Sequence, residues 1–226
     1  MKSYFDLIDQ TFDFPTKEFK VENNQLLFHD VDLMEVVKNY GTPLKITYLP
    51  KISQNIEYTK KLFGDAIKKH QYKGSYTYAY CTKSSHFKFV VEEALKSDAH
   101  IETSSAFDIP IIRNLEKEGK LKKDLFIICN GFKRPLYIES IAGLINDGFT
   151  NCIPVLDNLK ELDKYFKLTN EKFRVGIRIA ADEEPNFGFY TSRLGIRYGD
   201  ITNHYLEKNK GSNAELKMLH FFINTG

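Results

Sequence analysis

An incomplete β/α barrel is the fold this chain predicts, and three observations carry the prediction. From Tyr76 onward, strand-like and helix-like segments alternate at spacings of roughly 21 to 27 residues, the pattern of parallel strands joined by helical crossovers. The turn after the first of these strands is Cys81-Thr-Lys-Ser-Ser85, not the glycine-rich turn that a doubly wound nucleotide fold requires. Six strand candidates fit between Tyr76 and Gly226, whereas a closed (β/α)8 barrel needs eight and typically ~250 residues. The expectation is a barrel of about six β/α units, cut short after its last strand, whose apolar edge from Leu219 to Ile223 would be left unpaired.

The elements follow in order. Residues 1–40 form an N-terminal segment. In it Phe12-Asp-Phe-Pro15 reads as a turn, and two short strands around Phe19–Val21 and Leu26–Phe28 flank Asn23-Asn24. A helix over Leu33–Tyr40 stops at Gly41 and Pro43. Residues 41–226 form the partial barrel. Leu44–Leu49 is a strand candidate, and Asn55–His70 carries a loose helical face. The six barrel strands are 76–81, 99–103, 125–129, 151–156, 173–180 and 216–223. Between them, Phe87, Val90, Val91, Ala94 and Leu95 repeat at helical spacing. Ser105–Glu118 tolerates Pro110 in its first turn and ends at Gly119. Pro135–Asn146 and an Asn158-capped helix complete the series. Phe87, Phe126 and Phe173 occupy core-type positions.

Composition excludes several function classes. The chain is 42% hydrophobic and 27% charged, as ordinary globular proteins are. Its 32 basic against 30 acidic residues leave +2, too balanced for a nucleic-acid footprint. Apolar runs are strand-length, well short of the ~18 residues a membrane-spanning helix needs, and Met1–Asp6 has no signal-peptide character. Cys81, Cys129 and Cys152 are widely spaced, as free thiols of a reducing compartment are, which places the chain in the cytoplasm. His29, His70, His100 and His204 show no metal spacing, and Asp182-Glu183-Glu184 reads as a solvated loop.

A barrel works at the C-terminal ends of its strands. Here those ends carry Lys83, Glu102-Thr-Ser-Ser105, Asn130, Asp157, Arg178 and His220–Gly226. Singly, each is what any strand leaving a core would show. Together, an amine, two acids, a guanidinium and an imidazole suit an anionic, amine-reactive small molecule. A lysine crowded by Arg178 in a pocket lined by Tyr78 and Tyr80 would have its ammonium form disfavoured and become a better nucleophile.

Seven runs fall in an order seen in one class of enzymes. They are Tyr40-Gly-Thr-Pro-Leu44, Tyr80–Leu95 (YCTKSSHFKFVVEEAL), Ile101–Ser105, Ile128-Cys-Asn-Gly-Phe-Lys133, Gly176-Ile-Arg178, Ser192-Arg-Leu-Gly195 and Leu219–Gly226. Over residues 40–226 the chain resembles the alanine-racemase-type (fold type III) pyridoxal-phosphate-dependent amino-acid decarboxylases. It is most similar to the biosynthetic arginine decarboxylases. The diaminopimelate and ornithine enzymes resemble it more distantly. The resemblance implies that Lys83 forms the Schiff base with pyridoxal 5'-phosphate. Glu102 is then the acid beside it, Arg178 lies near the cofactor ring, and Thr225 lies near its phosphate. His220 and Phe222 occupy the strand where the family's ring-stacking histidine aligns with Phe222, and Ser85 replaces the family's asparagine. The implied product from arginine is agmatine, for polyamine synthesis, made by a homodimer or higher homo-oligomer. The family's phosphate loop and C-terminal β-domain would follow Gly226, so this piece alone is expected to be inactive. Two alternatives stay open: decarboxylation of diaminopimelate or ornithine, and a non-catalytic barrel or pyridoxal-phosphate carrier.

Overall fold

Asn23 and Asn24 both take positive φ (49° and 61°), the conformation a two-residue hairpin turn demands, and this fixes the first structural unit. The turn pairs β1 (Phe19–Glu22) with β2 (Gln25–Phe28) in antiparallel register, Glu22 opposite Gln25. A second such turn, His29-Asp30 at 47° and 67°, adds the short β3 (Val31–Asp32). The Asp32 carboxylate then accepts from the backbone N–H groups of Met34 (2.8 Å) and Glu35 (3.3 Å), capping α1 (Leu33–Tyr40). The computed structural model describes residues 18–180 and 195–222. The Phe12–Pro15 turn, the Asp182–Glu184 loop and Thr225 lie outside them. The chain divides into two compact units between Tyr48 and Leu49.

The Leu44–Leu49 strand does not form. Residues 44–48 belong to no strand or helix, and Leu44 and Ile46 remain exposed. Apolar alternation can make a strand only where a second strand offers hydrogen bonds.

In the second unit, Pro50 opens the 20-residue α2 (Pro50–Lys69). Six parallel strands follow: β4 (Ala79–Cys81), β5 (His100–Thr103), β6 (Ile127–Cys129), β7 (Cys152–Leu156), β8 (Phe173–Arg178) and β9 (Ala214–His220). They lie in sequence order, β4-β5-β6-β7-β8-β9, with no reversal. A doubly wound sheet must reverse its order at a switch point, so the winding is that of a barrel. The crossovers are α3 (Lys88–Lys96), α4 (Ile109–Lys117), α5 (Pro135–Asn146), α6 (Glu161–Leu168) and α7 (Tyr198–His204). A π-helical turn, Tyr205–Asn209, extends α7.

The core lies between the strands and their helices. Ile101, Ile127, Cys129, Val175 and Ile177 pack against Ile112, Leu115, Ile141, Leu162 and Tyr165, all fully buried. These strand residues occupy alternate positions, which leaves the intervening ones on the other face of the sheet. Among the expected core aromatics, Phe173 is buried, but Phe87 precedes α3 with half its surface exposed, outside the apolar face of that helix. The Ser105–Glu118 segment begins as a 3-10 turn (Ala106–Asp108) before α4, closed by a reciprocal Ser105–Asp108 capping box. Asn158 forms a turn ahead of α6, its side-chain oxygen accepting from Lys160 N–H, so the helix itself starts at Glu161.

Candidate active site

Strand alternation decides which strand-end side chains enter the barrel. Ile101 and Thr103 of β5 are buried on the helix side, which turns Glu102 inward. Asn130 directly follows β6, and Arg178 and His220 end β8 and β9 as register partners. The Asn130 amide Nδ2 donates to Glu102 Oε1 at 3.0 Å and lies 3.3 Å from His220 Nε2. On a flat sheet β6 and β9 would stand three strand spacings, about 14 Å, apart. Side chains from these strands meet because the sheet curls, and the curl brings Glu102, Asn130 and His220 together.

Lys83 sits in the turn after β4, where Cys81 pairs with Glu102 of β5. The turn is fixed: Thr82 donates twice to the Glu102 carbonyl (2.9 and 3.2 Å), and the Ser84 hydroxyl donates to the Cys81 carbonyl (2.8 Å). The Lys83 side chain is exposed, and among the described residues its ammonium has no hydrogen-bond or ion-pair partner. Backbone anchorage with a free amine is the arrangement a covalently bound carbonyl cofactor needs.

One detail of the expected lysine environment is corrected. Tyr78 and Tyr80 do not share the inward face with Lys83, although the Tyr80 hydroxyl donates to the Ser85 carbonyl of its turn at 2.9 Å. They pack on the helix side against Ile56, Ala94 and Ala99, because residues 78 and 80 alternate to the face opposite 79 and 81. Arg178 ends β8 with its guanidinium 3.8 Å from the Asp157 carboxylate. Phe222 lies two residues beyond β9 and is exposed.

Below the rim lies a group that the strand-end reading left out. Lys133 has no exposed side-chain surface and holds four acceptors. It donates to the carbonyls of Gly131 (2.9 Å) and Val155, and pairs with Glu161 (3.4 Å) and Asp157 (3.6 Å). With Arg178 this makes two cations and two carboxylates tying the ends of β6, β7 and β8 to the start of α6. Lys133 closes the Ile128–Lys133 run, but its burial does not show in the sequence, since it depends on where α6 docks.

Burial sets the titration of the site. It pushes the Glu161 carboxyl up, against the opposing charge of Lys133. It holds the His220 imidazole below its ordinary value, with Arg178 acting in the same direction and Glu102 against it. The Cys81 thiol is pushed up by burial. Among the described residues no cluster of three or more His, Cys, Asp or Glu side chains could hold a metal ion.

The comparisons with known proteins agree with this fold. No family model matches. Biosynthetic arginine decarboxylase 2 of Synechocystis sp. is 27% identical over 221 residues, covering 86% of this chain and 33% of its own length. The chain thus spans about a third of the length of the curated relatives it matches. Diaminopimelate decarboxylase from M. jannaschii, solved with L-lysine, superposes with a TM-score of 0.72 at 16% identity, over 91% of this chain and 47% of that one. A variant of SrLDC solved in complex with PLP superposes with a TM-score of 0.64 at 16% identity, over 84% of this chain and 44% of that one. The chain has arginine decarboxylases as sequence relatives, and its fold is that of the α/β barrel of solved amino-acid decarboxylases.

Proposed function

We propose that this chain is the cofactor-bearing barrel portion of a pyridoxal-phosphate-dependent decarboxylase that acts on arginine. The observation that carries the reading is Lys83, a free amine on a fixed turn, on the strand next to the inward-facing Glu102–Asn130–His220 cluster. The chain's own residues fit the cofactor. Lys83 supplies the amine for its aldehyde, and the Arg178–Asp157 pair and His220 supply polar groups for its ring and oxygens. Phe222 supplies an aromatic face near the end of the same strand. Thr225, assigned to the phosphate, belongs to this proposal on its motif alone. When bound, pyridoxal phosphate supplies the electron sink that takes up the pair left by departing carbon dioxide. The protein's part is to hold the scissile bond in place and to keep the inner face charged but paired.

Arginine as substrate is supported by the relatives' names. A homo-oligomer is supported by Phe107, 81% exposed, and Phe132, 66% exposed, on the neighbouring loops that follow β5 and β6. Cytoplasmic location is supported by three free thiols, and no described helix is long and apolar enough to cross a membrane. The test is to add pyridoxal phosphate to the full-length protein, reduce with borohydride and map the labelled peptide, and the same protein is used for the activity assay. The expected adduct is at Lys83, and its absence there sinks the proposal. Carbon dioxide release from arginine, diaminopimelate, ornithine and lysine then decides the substrate, and a preference for diaminopimelate overturns arginine. A cofactor-binding barrel without decarboxylase activity is the second reading, favoured by Phe222 standing where a histidine would aid proton transfer. Trapping at Lys83 without carbon dioxide release from any of the four selects it.

A further inference from the structure

The Asn130 amide is oriented by two independent neighbours. Its Oδ1 accepts from the Gly131 N–H at 2.8 Å, and that N–H can only donate. Its Nδ2 faces Glu102 Oε1 at 3.0 Å, and a carboxylate can only accept. Reversing the amide would break both contacts at once, so the assignment does not rest on the appearance of the side chain. The second Nδ2 hydrogen then points at His220 Nε2, 3.3 Å away. A donor facing Nε2 requires that nitrogen to be the acceptor. Donation from Asn130 Nδ2 to Nε2 goes with a neutral His220 ring that carries its proton on Nδ1. That nitrogen is buried and has no partner among the described residues.

We propose that Asn130 is a positioning residue that fixes His220 as the Nδ1–H tautomer, so that His220 serves the site as a neutral hydrogen-bond donor to an oxygen of a bound anion. The inference rests on the functional reading above and adds the donor atom and the kind of group it takes: a carboxylate, phosphate or phenolate oxygen. The groups acting on the ring are Glu102 and Asp157, which favour its protonation, and Arg178 and Lys133, which oppose it together with burial. An imidazolium would set two donors against each other across the 3.3 Å contact, so the arrangement works only with a neutral ring. Phe222, two residues on, has no polar hydrogen, which leaves His220 as the side-chain donor at the end of β9 among the described residues.

The tautomer is measured directly by long-range 15N–1H NMR of the chain labelled at histidine, at neutral pH and without ligand. The expected spectrum shows His220 Nδ1 protonated and Nε2 bare; a protonated Nε2 overturns the proposal. Asn130→Asp replaces the donor by an acceptor and should transfer the proton to Nε2 or charge the ring. An unchanged Nδ1–H tautomer in this variant overturns the role of Asn130. Asn130→Ala should give a mixed tautomer, and if it fails to fold, the wild-type and Asn130→Asp spectra decide alone. Titrating pyridoxal phosphate into the wild-type chain should move the Nδ1–H resonance downfield. Borohydride trapping at Lys83 without that movement overturns the donor role and leaves the cofactor reading intact. The expected tautomer without trapping at Lys83 overturns the cofactor reading instead.

Discussion

Lys133 shows how much one buried charge can organise. Removing it strands Asp157 and Glu161 in a place that water does not reach. Lys133→Met should destabilise the second unit by about 3–5 kcal/mol, read as a lowered urea midpoint. Adding Glu161→Met should recover most of that loss, since a buried ion pair exchanged whole for apolar side chains is often neutral. A single and a double variant of equal stability would show that Lys133 acts independently of Glu161. Histidines set a second residue-scale expectation. His100 Nδ1 accepts the Phe126 backbone N–H at 3.0 Å, and burial holds this ring, like His220, below its ordinary value of about 6.5. For groups whose folded value is depressed, the unfolded chain binds more protons. Their contribution to stability is present above about pH 6.5 and is lost as pH falls through and below it. Melting temperature should thus drop between about pH 7.5 and pH 5.5. In His100→Asn, which keeps an acceptor and loses the titration, the drop should be smaller. An equal slope in both proteins would refute this assignment.

At the scale of elements, the strand ends depend on how the chain returns to them. Gly195 comes back against β8: its N–H donates to the Asp157 carbonyl at 3.0 Å, and Ile196 donates to the Arg178 carbonyl. Gly195 has φ of +106°, and a Cβ there would lie 2.7 Å from Ala180 N and 3.0 Å from the Arg178 carbonyl oxygen. Gly195→Ala should cost about 1–3 kcal/mol and loosen the end of β8, seen as faster amide exchange at Ile179 and Ala180. Protection equal to wild type would show that the strand end tolerates the displacement. The helical elements were legible where caps and periodicity agreed. Pro135–Asn146 has the same bounds in the sequence reading and in the structure. Leu33–Tyr40 does too, because Asp32 and Gly41 mark its ends. The irregular pieces were not legible. The α7 helix and the π-helical turn after it have little amphipathic pattern, and Leu44–Leu49 has a strand pattern without a strand to meet.

For the whole molecule, the exposed rim aromatics set the expectation. Phe107 and Phe132 lie on adjacent loops, where the site of Gly131's missing Cβ is 3.4 Å from the Ser104 carbonyl oxygen. Sedimentation equilibrium should give twice the chain mass of 26.3 kDa. Phe107→Ser with Phe132→Ser should shift the chain to monomer, each burial being worth about 1.5–3 kcal/mol. A monomeric wild type would remove the basis for an interface on this rim.

The sequence by itself determined the alternation of strands and helices, their parallel winding and the polar residues at the strand ends. Each of these depends on local periodicity, caps and spacing, which neighbouring residues settle among themselves. It also singled out Lys83, Glu102, Asn130, Asp157, Arg178 and His220 as a set. Only the tertiary structure decided which of the set meet. Curling of the sheet brings Asn130 of one strand end to Glu102 and His220 of others, up to 90 residues apart. Docking of α6 buries Lys133 against Asp157 and Glu161, and strand pleat turns Tyr78 and Tyr80 away from the lysine they precede. Contacts of this kind follow from the curvature of the whole sheet, a property no short stretch of chain encodes alone.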